Sequence, residues 1–263
     1  MLNKLLIRIL LHLQVEFSSS IPRDTCDMKK LFILITLFVS VQSFAQIETD
    51  THVFWQPGVK LTFDMFQGNL PDSVSMKKMT DMSYYFEISK GFWAALDIPK
   101  SKRGWKNGMV EKYYFCAAMD KKNSFFIVRD STELKYAQLV FDICELSTRI
   151  SRRNLDQFVA SINEDIDKPV NGAISIQYMT CLNDGKQFGK EATHALYVNV
   201  IGTHNEAEYQ KFRSMIDDLL EELEPYATSE EEIRRLISEK PDKGYKLAPS
   251  YLDDFKNRGT IRY

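Results

Sequence analysis

Histidine is scarce in this chain. Four occur in 263 residues, and only His52, His194 and His204 lie beyond residue 45, so a centre built on several imidazoles has little to draw on. Cysteine is scarce too. Beyond residue 45 the sequence holds Cys116, Cys144 and Cys181. That odd set leaves at least one thiol unpaired and excludes a disulfide-built scaffold. A single Cys116–Cys181 bridge stays open. There is no basic excess, since the formal net charge is -2, and nothing in the charge pattern indicates a nucleic-acid partner. Glycine-rich phosphate loops, a nucleophile elbow, internal repeats and low-complexity tracts are all missing. The apolar runs at residues 5–11 and 31–41 are too short to span a bilayer, which takes roughly 20 residues.

What is present is an ordinary globular balance, 44% hydrophobic and 27% charged, enough to bury a sizeable core. Near the start, Met28, Lys29 and Lys30 make a short basic region. The apolar run 31–41 follows, and Ser43 and Ala45 place small residues at a cleavage site. This is the layout of a secretory signal peptide over residues 28–45, with cleavage expected after Ala45. Residues 1–27 then read as an upstream extension or a start assigned too early. No cysteine stands at a lipoprotein position. The expected exported form carries no stable membrane span.

After residue 45 the pattern opens with strands. Residues 52–55, 59–63, 83–96, 109–119 and 124–128 are rich in aromatic and β-branched positions. Residues 69–81 are polar and read as an exposed loop, and Asn107 with Gly108 signals a hairpin turn. Helical patterns dominate the second half. Residues 131–150 are apolar on most sides, which belongs to a helix at the centre of a domain, and Asp130 with Glu133 supplies its start. A break is expected near 151–154. Asn183, Asp184 and Gly185 argue for a turn, residues 195–201 resemble a strand, and 205–223 form an amphipathic helix. Thr228 with Glu231 caps a last short helix. The expected organisation is one domain over 46–225, with a C-terminal helix and tail over 226–263.

One motif in the central helix carries a likeness. Tyr136-Ala137-Gln138-Leu139-Val140-Phe141-Asp142-Ile143-Cys144-Glu145 resembles the active-site helix of a family of secreted predicted zinc-dependent proteases. That family, one of the domain-of-unknown-function families, has the pattern His-Glu-Gln-x-His-Phe-Asp-Ile-x-Glu. Thr148 and Arg149 stand at a later Ala-Arg pair. A second family signature, Leu-x-Trp-x-Asp-Phe-x-Gly, resembles Leu61, Phe63, Phe66 and Gly68, with Phe63 for Trp and Met65 for Asp.

The resemblance implies an α+β, zincin-like fold in which antiparallel strands lead into a long buried helix followed by further helices. It also implies zinc. Two histidines four residues apart share a helix face and a metal, and the adjoining glutamate polarises the bound water. This sequence has Tyr136, Ala137 and Val140 at those three positions. No cofactor is therefore expected, while Gln138, Phe141, Asp142, Ile143 and Glu145 persist as scaffold. Two function classes stay open. One is an exported, non-catalytic protein acting in binding or in envelope structure, with an envelope protein or peptide as partner, in the periplasm, at the outer membrane or outside a Gram-negative cell. The other is a secreted metal-dependent hydrolase with a site built from His194, His204 and acidic residues. Asp142 is expected to serve a backbone amide or Arg149.

Overall fold

Two strands, β3 (Lys90–Pro99) and β4 (Lys112–Asp120), are buried along most of their length, which requires cover on both faces of the sheet. The computed structural model describes residues 46–163 and 170–248, and it is mixed α+β. Strands β1 (His52–Phe54) and β6 (Tyr245–Leu247) complete a four-stranded sheet in the order β1-β4-β3-β6, every pair antiparallel. A separate two-stranded sheet joins β2 (Phe86–Glu87) to β5 (Phe125–Phe126).

Alternation along the strands sorts the side chains. Phe92, Leu96, Phe115 and Met119 belong to the main core with the long helix α3 (Ser131–Asn163). Ala95, Tyr114, Cys116 and Ala118 face the other way, joining Phe54, Ile233 and Leu236 in a second cluster. Ile233 and Leu236 come from α6 (Glu230–Ser238), so the helices lie on both sides of the sheet. Arg235 fastens α6 to β3 through a two-pronged pair with fully buried Asp97, at 2.8 and 2.5 Å. Residues 230–238 and 245–247 thus place a helix against this sheet and add an edge strand to it.

Helix α3 starts where the sequence places it, with the Asp130 carboxylate accepting from the amides of Thr132 and Glu133. It runs on through the expected break at 151–154. Ser151 and Arg152 are buried there, and α4 (Ala173–Leu196) packs against that stretch. Gly185 explains the fit. It is no turn: a Cβ at this position would sit 2.1 Å from Ser151 Oγ and 2.4 Å from the Ser147 carbonyl oxygen, so glycine lets the two helices close.

Other expectations are revised by long-range partners. Residues 59–63 form no strand; the Leu61 amide donates to Gln138 on α3 instead, and Phe63–Met65 is a 3-10 turn. The polar stretch 69–81 contains α1 (Ser73–Asp81), started by Asp72, whose carboxylate accepts from Val74 and Ser75 amides. Between β3 and β4 lies the short α2 (Lys102–Lys106), with Gly108 at φ +80° closing the connection. Residues 197–201 continue α4 as a π-turn, not a strand, which turns Leu196, Val200 and Ile201 together into the core. Helix α5 (Glu206–Glu222) is as expected. The cap of α6 is one residue later than expected, a reciprocal pair of Ser229 and Glu232.

Cys116, Cys144 and Cys181 are buried and form no disulfide, so the Cys116–Cys181 bridge is not made. The signal-peptide reading over 28–45, the extension 1–27 and the end of the tail lie outside the described residues. Among the described residues no helix is long and apolar enough to cross a membrane.

Candidate functional site

Tyr136, Ala137 and Val140, the positions where the zinc-protease pattern has its two histidines and glutamate, come first. Tyr136 is 1% exposed, and Ala137 and Val140 are 0% exposed. The Tyr136 ring packs against Tyr209 at 5.5 Å and His204 at 6.2 Å between centroids. Ala137 and Val140 carry no donor atom, so these residues do not fit a zinc ion. Among the described residues no group of three or more His, Cys, Asp or Glu is arranged to hold a metal.

The residues that match that pattern have structural partners. Asp142 accepts from the Trp55 indole at 2.8 Å, from Gln138 at 2.9 Å and from Arg213 at 2.5 Å. Arg149, expected beside Asp142, pairs with Glu145 at 2.9 Å and lies over the Trp55 ring. Glu145 is fully buried. It also accepts from the Thr228 amide at 2.9 Å and hydroxyl at 2.6 Å, and from the Thr148 hydroxyl at 3.0 Å. Phe141 and Ile143 are core residues. Leu61 and Phe66 are buried, and Phe63 and Phe66 pack on Phe126 of β5 at 5.1 and 4.3 Å. Gly68 lies so close to this strand that a Cβ would come within 2.8 Å of the Ser124 carbonyl oxygen. The two motif segments therefore meet, through Leu61 and Gln138, as one packed unit.

His194 and His204 occupy different places. His194 is exposed near the end of α4. His204 follows the π-turn at φ +48°, stacked on Tyr85 with centroids 5.8 Å apart. Its Nδ1 is 3.9 Å from Glu133 Oε1. The Glu133 side chain is buried, its Oε2 has no hydrogen-bond partner, and burial, aided by Asp130, pushes its carboxyl up to about 7.

Space opens beside Val140. A cleft of about 440 Å³ lies between β2, the start of β3, α3 and the end of α4. Apolar residues make much of its wall, among them Met79, Met82, Tyr84, Phe86 and Tyr197. Its polar groups are Glu87, Ser89, Lys90, Lys190, Thr193 and His194. Ser89 and Thr193 are 5% and 3% exposed, and neither hydroxyl has a hydrogen-bond partner. Lys90 is 9% exposed; burial lowers the pKa of its amine, against the opposing pull of Cys144 and Glu87. A serine or threonine nucleophile needs a base within hydrogen-bond reach, and neither hydroxyl touches one. The arrangement suits holding a ligand more than attacking one.

Sequence reasoning passed over Ser89, Lys90, Lys190 and Thr193. One signal was visible: Lys90 sits among apolar neighbours in a strand pattern, where a charge is out of place. Compared with known proteins, the chain matches no family model, no curated protein and no solved structure.

Proposed function

We propose that this is an exported, non-catalytic binding protein on a zincin-like, metallopeptidase-like frame. The observation that carries the reading is the contrast at the helix motif. Tyr136, Ala137 and Val140 are core residues, while Asp142 and Glu145 spend their carboxylates on tying neighbouring segments to the helix. The cleft beside Val140 then offers a binding surface without a paired nucleophile and base. Export rests on the pattern over residues 28–45.

The rival reading, a metal-dependent hydrolase on His194 and His204, draws on the contact of His204 with Glu133. Both readings meet one experiment. The protein is purified without chelators, its zinc is measured by mass spectrometry, and hydrolysis of an unstructured protein substrate is followed with and without chelator. Sub-stoichiometric metal and no chelator-sensitive hydrolysis are expected. One zinc per chain with hydrolysis that a chelator abolishes would overturn the proposal.

A further inference from the structure

The cleft beside Val140 contains two features that a packed core does not leave alone. The Ser89 and Thr193 hydroxyls are both more than nine-tenths buried, line the same space, and have no partner. A buried hydroxyl left unsatisfied costs about 1–3 kcal/mol, so two of them in one cavity mark a place where partners arrive from outside. Lys90, on the same wall, is a donor without acceptor capacity. Lys190 is an exposed ammonium at the opening.

These groups choose the sign of the ligand. Two lysines, Lys90 and Lys190, face the space against one carboxylate, Glu87, so the balance favours an anion. Two hydroxyls and two lysine side chains are all able to donate, and a carboxylate presents two oxygens with about four acceptor sites. The rest of the wall chooses the body. Met79, Met82, Tyr84, Phe86 and Tyr197 offer nothing to a bare inorganic anion, whereas pockets of about 300–1,000 Å³ with mostly apolar walls and a few polar groups are built for organic molecules.

We propose that the cleft binds a small amphipathic carboxylate. Lys90, Lys190 and the hydroxyls of Ser89 and Thr193 hold the acid group, and the methionine and aromatic wall covers the hydrocarbon part. The assignment rests on the reading of the protein as a binding protein and names its ligand class.

The test uses the purified protein with chelator present, and decanoate as the probe. Calorimetry is expected to give saturable binding of one decanoate per chain, with acetate and 1-decanol each about tenfold weaker or more. Methionine-methyl NMR is expected to show the Met79 and Met82 signals moving with decanoate. Lys90→Met is expected to weaken decanoate about tenfold. Lys190→Ala, at the exposed rim where the fold is not at risk, is expected to weaken it about threefold, as a screened surface charge does.

Decanol binding as tightly as decanoate would overturn the anionic head, and acetate binding as tightly would overturn the apolar body. Saturable binding that leaves the Met79 and Met82 signals in place, or no saturable binding, would overturn the site. The two proposals fail separately. Loss of decanoate binding in a zinc-free, inactive protein sinks the carboxylate alone, while stoichiometric zinc with chelator-sensitive hydrolysis sinks the binding-protein reading whatever decanoate does.

Discussion

The Glu145–Arg152 stretch of α3 and the cleft beside Val140 treat polar groups in opposite ways. From Glu145 to Arg152 the helix carries a buried charge network in which each member is used. Glu145 takes Arg149, Thr148 and Thr228. Arg152 donates to Glu232, to the Thr228 hydroxyl and to the carbonyl oxygens of Phe115 and Tyr226. These bonds bring β4, the turn before α6 and α6 itself onto one side of the helix. Near Glu133 and Val140 the opposite holds: Glu133 Oε2 and the cleft hydroxyls of Ser89 and Thr193 are buried without partners. A satisfied network rigidifies and specifies a fold, while unsatisfied groups are costly to keep. The contrast assigns structure to the Glu145–Arg152 stretch and ligand contact to the cleft beside Val140.

The comparison breaks most visibly at Glu145. Truncating one member of a buried ion pair leaves the others charged, dry and unpaired, at about 3–5 kcal/mol. Glu145→Ala leaves buried Arg149 without its carboxylate, and the Thr228 amide and hydroxyl without their acceptor. Urea denaturation is expected to show a loss of that size with an unchanged slope. A loss below about 1 kcal/mol, the scale of an exposed pair, would mean that the network does not hold the helix as argued.

A smaller effect sharpens the other side of the comparison. Glu133 has an ordinary value of 4.5 and is pushed to about 7 in the folded protein. Between those two values the folded state keeps a proton that the unfolded chain has released. Stability from this group is therefore fully present below 4.5, falls as pH rises through the window, and is gone above about 7. Glu133→Gln keeps a neutral side chain of the same shape. The variant is expected to flatten the decline in urea midpoint between pH 4.5 and 7 and to exceed the parent in stability at about pH 8. An unchanged pH slope would show that the carboxyl is not held protonated.

Much of the frame was legible locally. The long apolar helix, the Asp130 start, the strands leading into it and the amphipathic α5 all follow from periodicity and capping, which are properties of short windows. The errors came where a distant segment decides. Gly185 reads as a turn residue until the Ser147 and Ser151 backbone and side chain are known to press against it. Residues 195–201 have strand-like composition, yet tertiary burial of Val200 and Ile201 keeps them wound. The cleft was not legible at all. Lys90 and Thr193 come from a strand and a helix far apart in sequence, and no local pattern announces that two hydroxyls will share a cavity. Val140, singled out by the motif likeness, borders the cleft and brings no donor atom to it.

The finest test sets two threonines against each other. Thr228 donates to Glu145 at 2.6 Å and accepts from Arg152 at 3.0 Å, whereas Thr193 Oγ1 has no partner. Threonine-to-valine is nearly the same shape in both places and removes the hydroxyl alone. At Thr228 the change leaves a buried carboxylate and guanidinium each short of a bond, so about 1–3 kcal/mol should be lost. At Thr193 nothing is stranded and an unpaired dipole is replaced by a methyl group. Stability there should hold or rise by about 1 kcal/mol, while decanoate binding falls. If Thr193→Val instead costs as much as Thr228→Val, its hydroxyl is serving the fold, and the contrast between the partnered Glu145 network and the open cleft beside Val140 fails with it.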